Sequence, residues 1–365
     1  MKITCSQNEI LKGLQIASRA VPSRTTKAIL ECILIDASSN QIHLTSNDME
    51  LGIDTIVPGQ IIERGMVCID AKILLDMVRN LPNNQVEMQA DEKNTVFIDC
   101  EKAHFKIPGK NGEEFPYLPA IPREKPIRIS QFMLREIIRQ TIFSVSDNDA
   151  KRTLTGELLE VNGNEFHLSS LDGHRISVRN INLKESYDEM SAIIPGKCLS
   201  EISKIINGSM DDFVEIFFSE NHVVFEFEQT TVISRLLEGE FFNIERVVSN
   251  DYETKVSINK RELMDSLMRA VLMVDESEKK PIILDIQKQS FRMYITTFRG
   301  NFNEELFTVK EGRDIRIGFN PKFILDVLRV IDDENVNIYF ISPKSPCFIK
   351  NDNGEYLYVI LPVNV

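Results

Sequence analysis

The sequence is poor in the patterns by which enzymes and membrane proteins are recognised. No apolar run approaches the roughly 18 residues of a membrane span, so no membrane partner is expected. The opening "MKITCSQNEI" has neither the apolar core nor the cleavage site of a signal peptide, and a cytoplasmic protein is expected. The six cysteines (Cys5, Cys32, Cys68, Cys100, Cys198, Cys347) stand singly without a CxxC pair. That argues against a zinc ribbon or a redox motif. The five histidines are dispersed with no HExxH, so no metal and no cofactor is expected. Positive charge is also scarce: 42 Lys and Arg face 55 Asp and Glu, for a net charge of −13. Taken globally this opposes binding to phosphates. Net charge, however, describes solubility and non-specific association, and a basic stripe can lie within an acidic protein.

What the chain does contain is a repeat. Its 365 residues are too many for one ordinary core. Three stretches, "KITCSQNEILKGL", "IRISQFMLREII" and "KVSINKRELMDSL", each read as an alternating strand, a polar cap and a helix. Ser6, Ser130 and Asn259 are the expected N-caps. The pairs Ile10 and Leu14, Leu134 and Ile138, Leu263 and Leu267 follow at helical spacing. A second set is "VCIDAKILLDMVRNL", "AIIPGKCLSEISKII" and "IGFNPKFILDVLRVI". Lys72, Lys197 and Lys322 are 125 residues apart each time, and so are Arg79, Lys204 and Arg329. Alternating runs such as "NTVFIDC", "FVEIFFS", "HVVFEFE" and "NVNIYFI" lie between the helices and read as strands. The expected fold is α+β: three tandem homologous domains, each with two helices against antiparallel sheets. Their expected bounds are 1–121, 127–247 and 254–365, with connectors at Phe115–Pro126 and Val247–Lys255.

On a helical wheel Ile73, Leu74, Met77, Val78 and Leu81 gather on one side and Lys72 and Arg79 on the other. Lys197 with Lys204 and Lys322 with Arg329 repeat that geometry. One such helix is ordinarily a solvated face. Matching cations in all three repeats point further, since solvation needs no matching positions. Asp76, Glu201 and Asp326 sit four residues after each lysine and can pair with it, so the face is only modestly basic. It suits loose, sequence-independent phosphate contact rather than base reading.

The stretch "SSLDGHRISV" brings Ser170, Asp172 and His174 together and raises the possibility of a hydrolase. Triad members usually come from separate segments, because the base must reach the nucleophile while the acid orients the base. There is also no GxSxG elbow. Asp172 and Gly173 instead suit a turn between two strands.

The three tandem domains, the "DGHR" of the second, "IIPGK", "IGFNPKFILDVLRVI" and the terminal "YVILPVNV" together resemble the bacterial DNA polymerase III beta subunit family, the sliding clamps, over the whole chain. The resemblance implies the DNA clamp fold in a head-to-tail homodimeric ring, with helices lining a hole that holds double-stranded DNA. It implies a non-catalytic processivity factor in DNA replication and repair, cytoplasmic and nucleoid-associated. Partners would be the replicative DNA polymerase alpha subunit, a clamp-loader ATPase, and other polymerases and repair proteins that dock through short clamp-binding peptides. The loader must supply the opening energy, because this chain has no GxxxxGK[ST] loop.

By the same resemblance the DNA contacts are Arg24, Lys72, Arg79, Asn148, Lys151, Arg152, Lys197, Lys204, Lys322 and Arg329. The peptide pocket comprises Leu154, Leu171, Gly173, His174, Arg175, Ile176, Phe242, Arg246, Val247, Asn320, Phe323, Val359, Ile360, Leu361, Pro362 and Val363. Phe105 and Ile107 would meet Leu272 and Met273 across the dimer interface. Three departures from the family pattern bear on peptide preference: "FFNI" at Phe241–Ile244, Asn364 near the end, and "ESEKKP" at Glu276–Pro281. Two other architectures fit the residues less well. A scaffold that never encircles DNA would not need matched cations, and a trimer of two-domain subunits is disfavoured by three repeats in one chain.

Overall fold

A computed structural model describes residues 1–249, 251–274, 280–288 and 290–363. Asn364 and most of the Glu276–Pro281 segment lie outside the described residues. The helices are α1 (Gln7–Ala17), α2 (Ala71–Arg79), α3 (Gln131–Arg139), α4 (Gly196–Ile205), α5 (Lys260–Val271) and α6 (Pro321–Val330), two for each repeat. Every β pairing among the described residues is antiparallel.

The caps form as the sequence predicts. Ser6 Oγ accepts from the Glu9 amide, Ser130 Oγ from Met133 and Asn259 Oδ1 from Glu262. Each satisfies a donor that the first helical turn leaves without a partner. The second helices of the first and third repeats are capped too, by Asp70 on the Ile73 amide and Asn320 on Lys322. The stripes Ile10/Leu14, Leu134/Ile138 and Leu263/Leu267 are all buried. Ile73 departs from its expected place. It is 47% exposed, because the buried face of α2 is narrower than its apolar residues and runs through Ala71, Leu74 and Val78.

By compactness the chain divides into two units, Met1–Leu134 with Glu201–Leu236, and Arg135–Ser200 with Leu237–Val365. The middle repeat contributes to both. In the first unit a five-stranded sheet runs in the order Gln60–Glu63, Lys2–Ser6, Gln85–Ala90, Thr95–Cys100, Ala103–Pro108. A nine-stranded sheet includes the consecutive neighbours Cys32–Asp36, Ile42–Asn47, Leu51–Val57, Thr230–Arg235 and His222–Phe227. Helices α1 and α2 pack together, and their stripes close a core with Ile33, Leu44, Val67, Val86 and Ile98. In the second unit a seven-stranded sheet runs Gly156–Leu171, Arg175–Pro195, Tyr356–Ile360, Cys347–Lys350, Asn335–Phe340, Thr254–Asn259, Val309–Gly312. A four-stranded sheet runs Gly300–Phe307, Ser290–Thr297, Ile282–Gln287, Ile315–Phe319. Helices α5 and α6 pack together, and their stripes share a core with Leu284, Ile286, Phe291, Phe319 and Phe340.

The units cut across the repeats because strands of adjacent repeats pair. Thr231, Val232, Ile233 and Ser234 lie opposite Asp54, Ile53, Gly52 and Leu51. Tyr356, Leu357, Tyr358 and Val359 lie opposite Arg179, Val178, Ser177 and Ile176. Every number in the second set is 125 above its counterpart in the first. The period read from the helices therefore also preserves the hydrogen-bond register of the joins. Residues 116–126 and 248–253 carry no helix or strand among the described residues, whereas Thr254 and Lys255, expected in the second connector, already belong to the strand Thr254–Asn259.

One buried group is out of keeping with its surroundings. Glu157, at the start of its strand, is fully buried, and among the described residues neither carboxyl oxygen makes a well-formed hydrogen bond. Burial pushes its pKa up from 4.5 to about 8, with Thr141 pulling the other way. The folded protein thus keeps a proton that the unfolded chain releases. Stability is expected to fall as pH rises from about 4.5 to about 8 by up to about 1.4 kcal/mol per pH unit from this group. Glu157→Gln, which stays neutral, should melt close to the parent at pH 5 and above it at pH 8.5 in scanning calorimetry.

Candidate functional site

A hollow of about 400 Å³ opens in the second unit where the segment leading into the second connector passes the join between repeats. The short helical turn Asp149–Thr155 supplies Lys151, Thr153 and Leu154. The hairpin supplies Leu171, Gly173, His174, Arg175 and Ile176. The segment that leads into the second connector supplies Glu240, Phe241, Phe242 and Val247, and the last strand with the residue beyond it supplies Val359 and Leu361. Leu171, Ile176 and Val359 are buried, and they belong to an apolar cluster with Tyr339 and Phe348 that forms the floor. Phe242 is 44% and Leu361 39% exposed at the mouth. A largely apolar concavity with a few fixed polar groups is the usual form of a ligand site.

The hairpin turn fixes the polar wall. Asp172 Oδ1 accepts from the amides of His174 (2.9 Å) and Arg175 (3.1 Å). Gly173 has φ +88°, a conformation that costs a side chain strain. Arg175 is held on every side of its guanidinium. Its Nε donates to Asp172 Oδ2 at 3.0 Å, Nη1 to Asp326 Oδ2 at 2.6 Å and Nη2 to the Phe143 carbonyl at 2.6 Å. The rings of Phe323 and Phe143 lie 4.6 and 5.2 Å from the guanidinium carbon. The His174 ring stacks on Phe323 at 6.1 Å.

Ten of the sixteen expected pocket residues line the hollow. The other six do not. Ile360 is fully buried on the opposite face of its strand, in the core beneath α5 and α6, because successive side chains alternate across a sheet. Asn320 spends its side chain capping α6. Phe323 lies behind the wall, against His174 and Arg175. Arg246 is exposed outside the lining, and Pro362 and Val363 are half-buried, with the Val363 amide donating to the Gly318 carbonyl. Lys151, expected at DNA, is exposed and also lines the pocket. Thr153, Glu240 and Phe241 line it without being among the expected residues, although each sits one residue or two from an expected position.

The hydrolytic constellation that Ser170, Asp172 and His174 could suggest does not assemble. Ser170 is fully buried and its hydroxyl donates to the Thr141 carbonyl at 2.6 Å, while Asp172 is committed to the turn and Arg175. Among the described residues no group of three or more His, Cys, Asp or Glu could hold a metal ion. Burial pushes the Cys5, Cys68 and Cys347 thiols up to about 12, which leaves them unreactive core residues.

The repeated helix cations are at the surface. Lys72, Arg79, Lys197, Lys204 and Arg329 are exposed and Lys322 is half-buried. The intervening carboxylate reaches forward in all three helices: Asp76 to Arg79 (3.3 Å), Glu201 to Lys204 (2.8 Å) and Asp326 to Arg329 (3.5 Å). Glu201 also takes Arg19 of the first repeat at 3.4 Å. Arg24, Asn148 and Arg152 are exposed as well, and Asn148 caps its short helical turn through the Ala150 amide. Of the expected interface residues, Phe105 and Ile107 lie on the edge strand of the five-stranded sheet, Phe105 half-buried and Ile107 within the core at 8% exposure. Leu272 is 67% exposed just after α5, and Met273 beside it is half-buried.

The strain at Gly173 yields a direct test of the turn. A Cβ there would meet nothing within 4 Å, so the only penalty is the backbone conformation. Gly173→Ala should cost about 1 kcal/mol in urea denaturation without any steric repacking.

Three family models match the chain in tandem: the DNA polymerase III beta subunit N-terminal domain at residues 1–119, its central domain at 128–243 and its C-terminal domain at 245–364. The beta sliding clamp of Staphylococcus epidermidis is 31% identical over 380 residues, covering 100% of this chain and 99% of that protein. Among solved structures, a putative DNA polymerase III beta subunit from Eubacterium rectale superposes with a TM-score of 0.97 at 55% identity over 100% of both chains. The DNA polymerase sliding clamp from Bacillus subtilis superposes with a TM-score of 0.96 at 28% identity over 100% of this chain and 99% of that one. The chain belongs to the DNA polymerase III beta subunit family, the bacterial sliding clamps, and is a non-catalytic processivity factor.

Proposed function

We propose that two copies of the chain close head to tail into a ring around duplex DNA and that the pocket in the second unit captures short peptides of the ring's clients. The observation that carries the ring is a pair of unused edges. Each chain makes two inter-repeat joins in one register. The strands that would make a third, Ala103–Pro108 and Gly300–Phe307, are both sheet edges. The turns that lead into Ala103–Pro108 and Thr230–Arg235 are alike, with Glu101 and Glu228 at φ 52° and 49°. An exposed edge invites another strand, and a head-to-tail pair of chains consumes all four edges in two contacts. Charge and apolarity favour that pairing: one edge carries Lys106, the other Glu305, and Leu272, Phe298 and Phe307 near the second edge are each about two-thirds exposed.

In this reading Phe105 and Ile107 meet Leu272 and Met273, and the domains are the repeats 1–121, 127–247 and 254–365. The cations Arg24, Lys72, Arg79, Lys151, Arg152, Lys197, Lys204, Lys322 and Arg329, together with the neutral amide of Asn148, contact phosphates without reading sequence, and Lys151 also stands at the pocket mouth. Retention is topological, so weak contacts suffice and the ring slides. A tethered polymerase then stays at high local concentration near the primer end. The replicative polymerase alpha subunit, the loader ATPase, and other polymerases and repair proteins dock in the same pocket. The protein works in the cytoplasm at the nucleoid.

Two measurements test the ring. Leu272→Glu with Met273→Glu should sediment as a monomer in analytical ultracentrifugation, whereas persistence of the dimer would move the interface elsewhere. Wild-type protein loaded on nicked circular DNA should be released when the circle is linearised. Each of Arg79→Gln and Arg329→Gln should lower the slope of log affinity against log salt by about 0.9 if it removes one phosphate contact.

A further inference from the structure

Asp326 stands between the two sites. Its Oδ2 accepts from Arg175 Nη1 at 2.6 Å, and its Oδ1 lies 3.5 Å from Arg329 Nη1. Arg175 is a wall of the pocket, while Arg329 is one of the surface cations of α6. One carboxylate thus serves an arginine of each site, although Asp326 does not itself line the hollow.

The two arginines hold it unequally. The Arg175 side chain is 12% exposed, so its guanidinium depends on protein partners, and the short contact to Asp326 is of the charge-assisted kind. Arg329 is 56% exposed and its contact is long, so phosphate or water can replace the carboxylate at little cost. The counterpart carboxylate in the middle repeat has the opposite balance. Glu201 holds its own helix's Lys204 at 2.8 Å and the neighbouring repeat's Arg19 at 3.4 Å. The residue 125 before Arg175 is Glu50, so the first join has no arginine in the equivalent position. The tight link from a helix carboxylate to a pocket arginine is thus a property of the second join.

We infer that Asp326 is a positioning residue of the peptide pocket, and that through it DNA contact and peptide capture strengthen each other. The inference rests on the proposed roles of Arg329 at DNA and Arg175 in the pocket. A phosphate that draws Arg329 away removes a cation competing for Asp326. The carboxylate's charge then falls more fully on Arg175, which is fixed against Phe323 and Asp172 before the peptide arrives. A preorganised wall binds more tightly because less ordering remains to be done. Linkage makes the effect reciprocal: a peptide that fixes Arg175 on Asp326 leaves Arg329 freer for phosphate, by the same factor. Asp326 is 28% exposed, so the factor is modest.

The test uses the full-length protein and a fluorescein-labelled pentapeptide with leucine and phenylalanine anchors, followed by anisotropy. Affinity is measured for free protein and for protein loaded on nicked circular DNA. Wild type should bind the peptide about three- to ten-fold more tightly on DNA. Arg329→Gln, free of DNA, should already bind at the tighter level and gain nothing on loading. Asp326→Asn should bind the peptide more weakly than wild type and equally with and without DNA. Asp326→Glu, which keeps the charge, should recover part of the DNA-dependent gain, a rescue that a purely structural role would not produce. Equal peptide affinity of wild type in both states, or a gain that survives in Asp326→Asn, overturns the inference. Loss of retention on circles would instead sink the ring reading, and absence of peptide binding in every protein the pocket reading, each taking the coupling with it.

Discussion

The pairing of one repeat's strand with a strand of the next is the constraint on which the rest of the structure depends. Thr230–Arg235 against Leu51–Val57, and Tyr356–Ile360 against the start of Arg175–Pro195, turn separate repeats into continuous sheets. Antiparallel pairing satisfies the backbone groups of both edges and fixes a register, and a slip of one residue would turn every side chain to the wrong face. That is why compactness follows the joins rather than the sequence repeats, and why the middle repeat is divided between two units.

The pocket is a consequence of the same join. Where Ile176 meets Val359 across the seam, the segment leading into the connector passes over it, and Phe241, Phe242 and Val247 form a rim around apolar floor residues. The first join has its own hollow of about 400 Å³, crossed by Phe115, Tyr117 and Leu118, but its lining mixes apolar residues with a hydrogen-bonded polar cluster, His43 on Asp54 at 2.8 Å and Thr45 on Asp54 at 2.6 Å. There Leu118 also seats against Gly52, whose missing Cβ leaves it room. Two seams of one register therefore give surfaces of different chemistry, because the side chains over the seam diverged while the backbone pairing did not.

Much of this is legible in the chain. The caps at Ser6, Ser130 and Asn259 are local, since a side chain reaches an amide only three residues ahead. The buried stripes are readable for the same reason, and the period of 125 because distant segments repeat the same residues at matching places. Asp172 and Gly173 read as a turn rather than as chemistry, and a turn is what they form. The misplacements share a cause. Ile73 is apolar, yet among the described residues too little packs over its side of α2 to bury it; Ile360 belongs to the strand beside the pocket, yet its alternation sends it to the core.

The sequence by itself determined the repeats, their helices with caps and apolar stripes, and the matched cations, because these follow from interactions between residues a few positions apart. Only the tertiary structure decided which strands join, which residues face the hollow, and that Asp326 is shared by Arg175 and Arg329. The strand pairings and the Arg175–Asp326 contact bring together groups more than 150 residues apart, and no local pattern encodes which partner each will find.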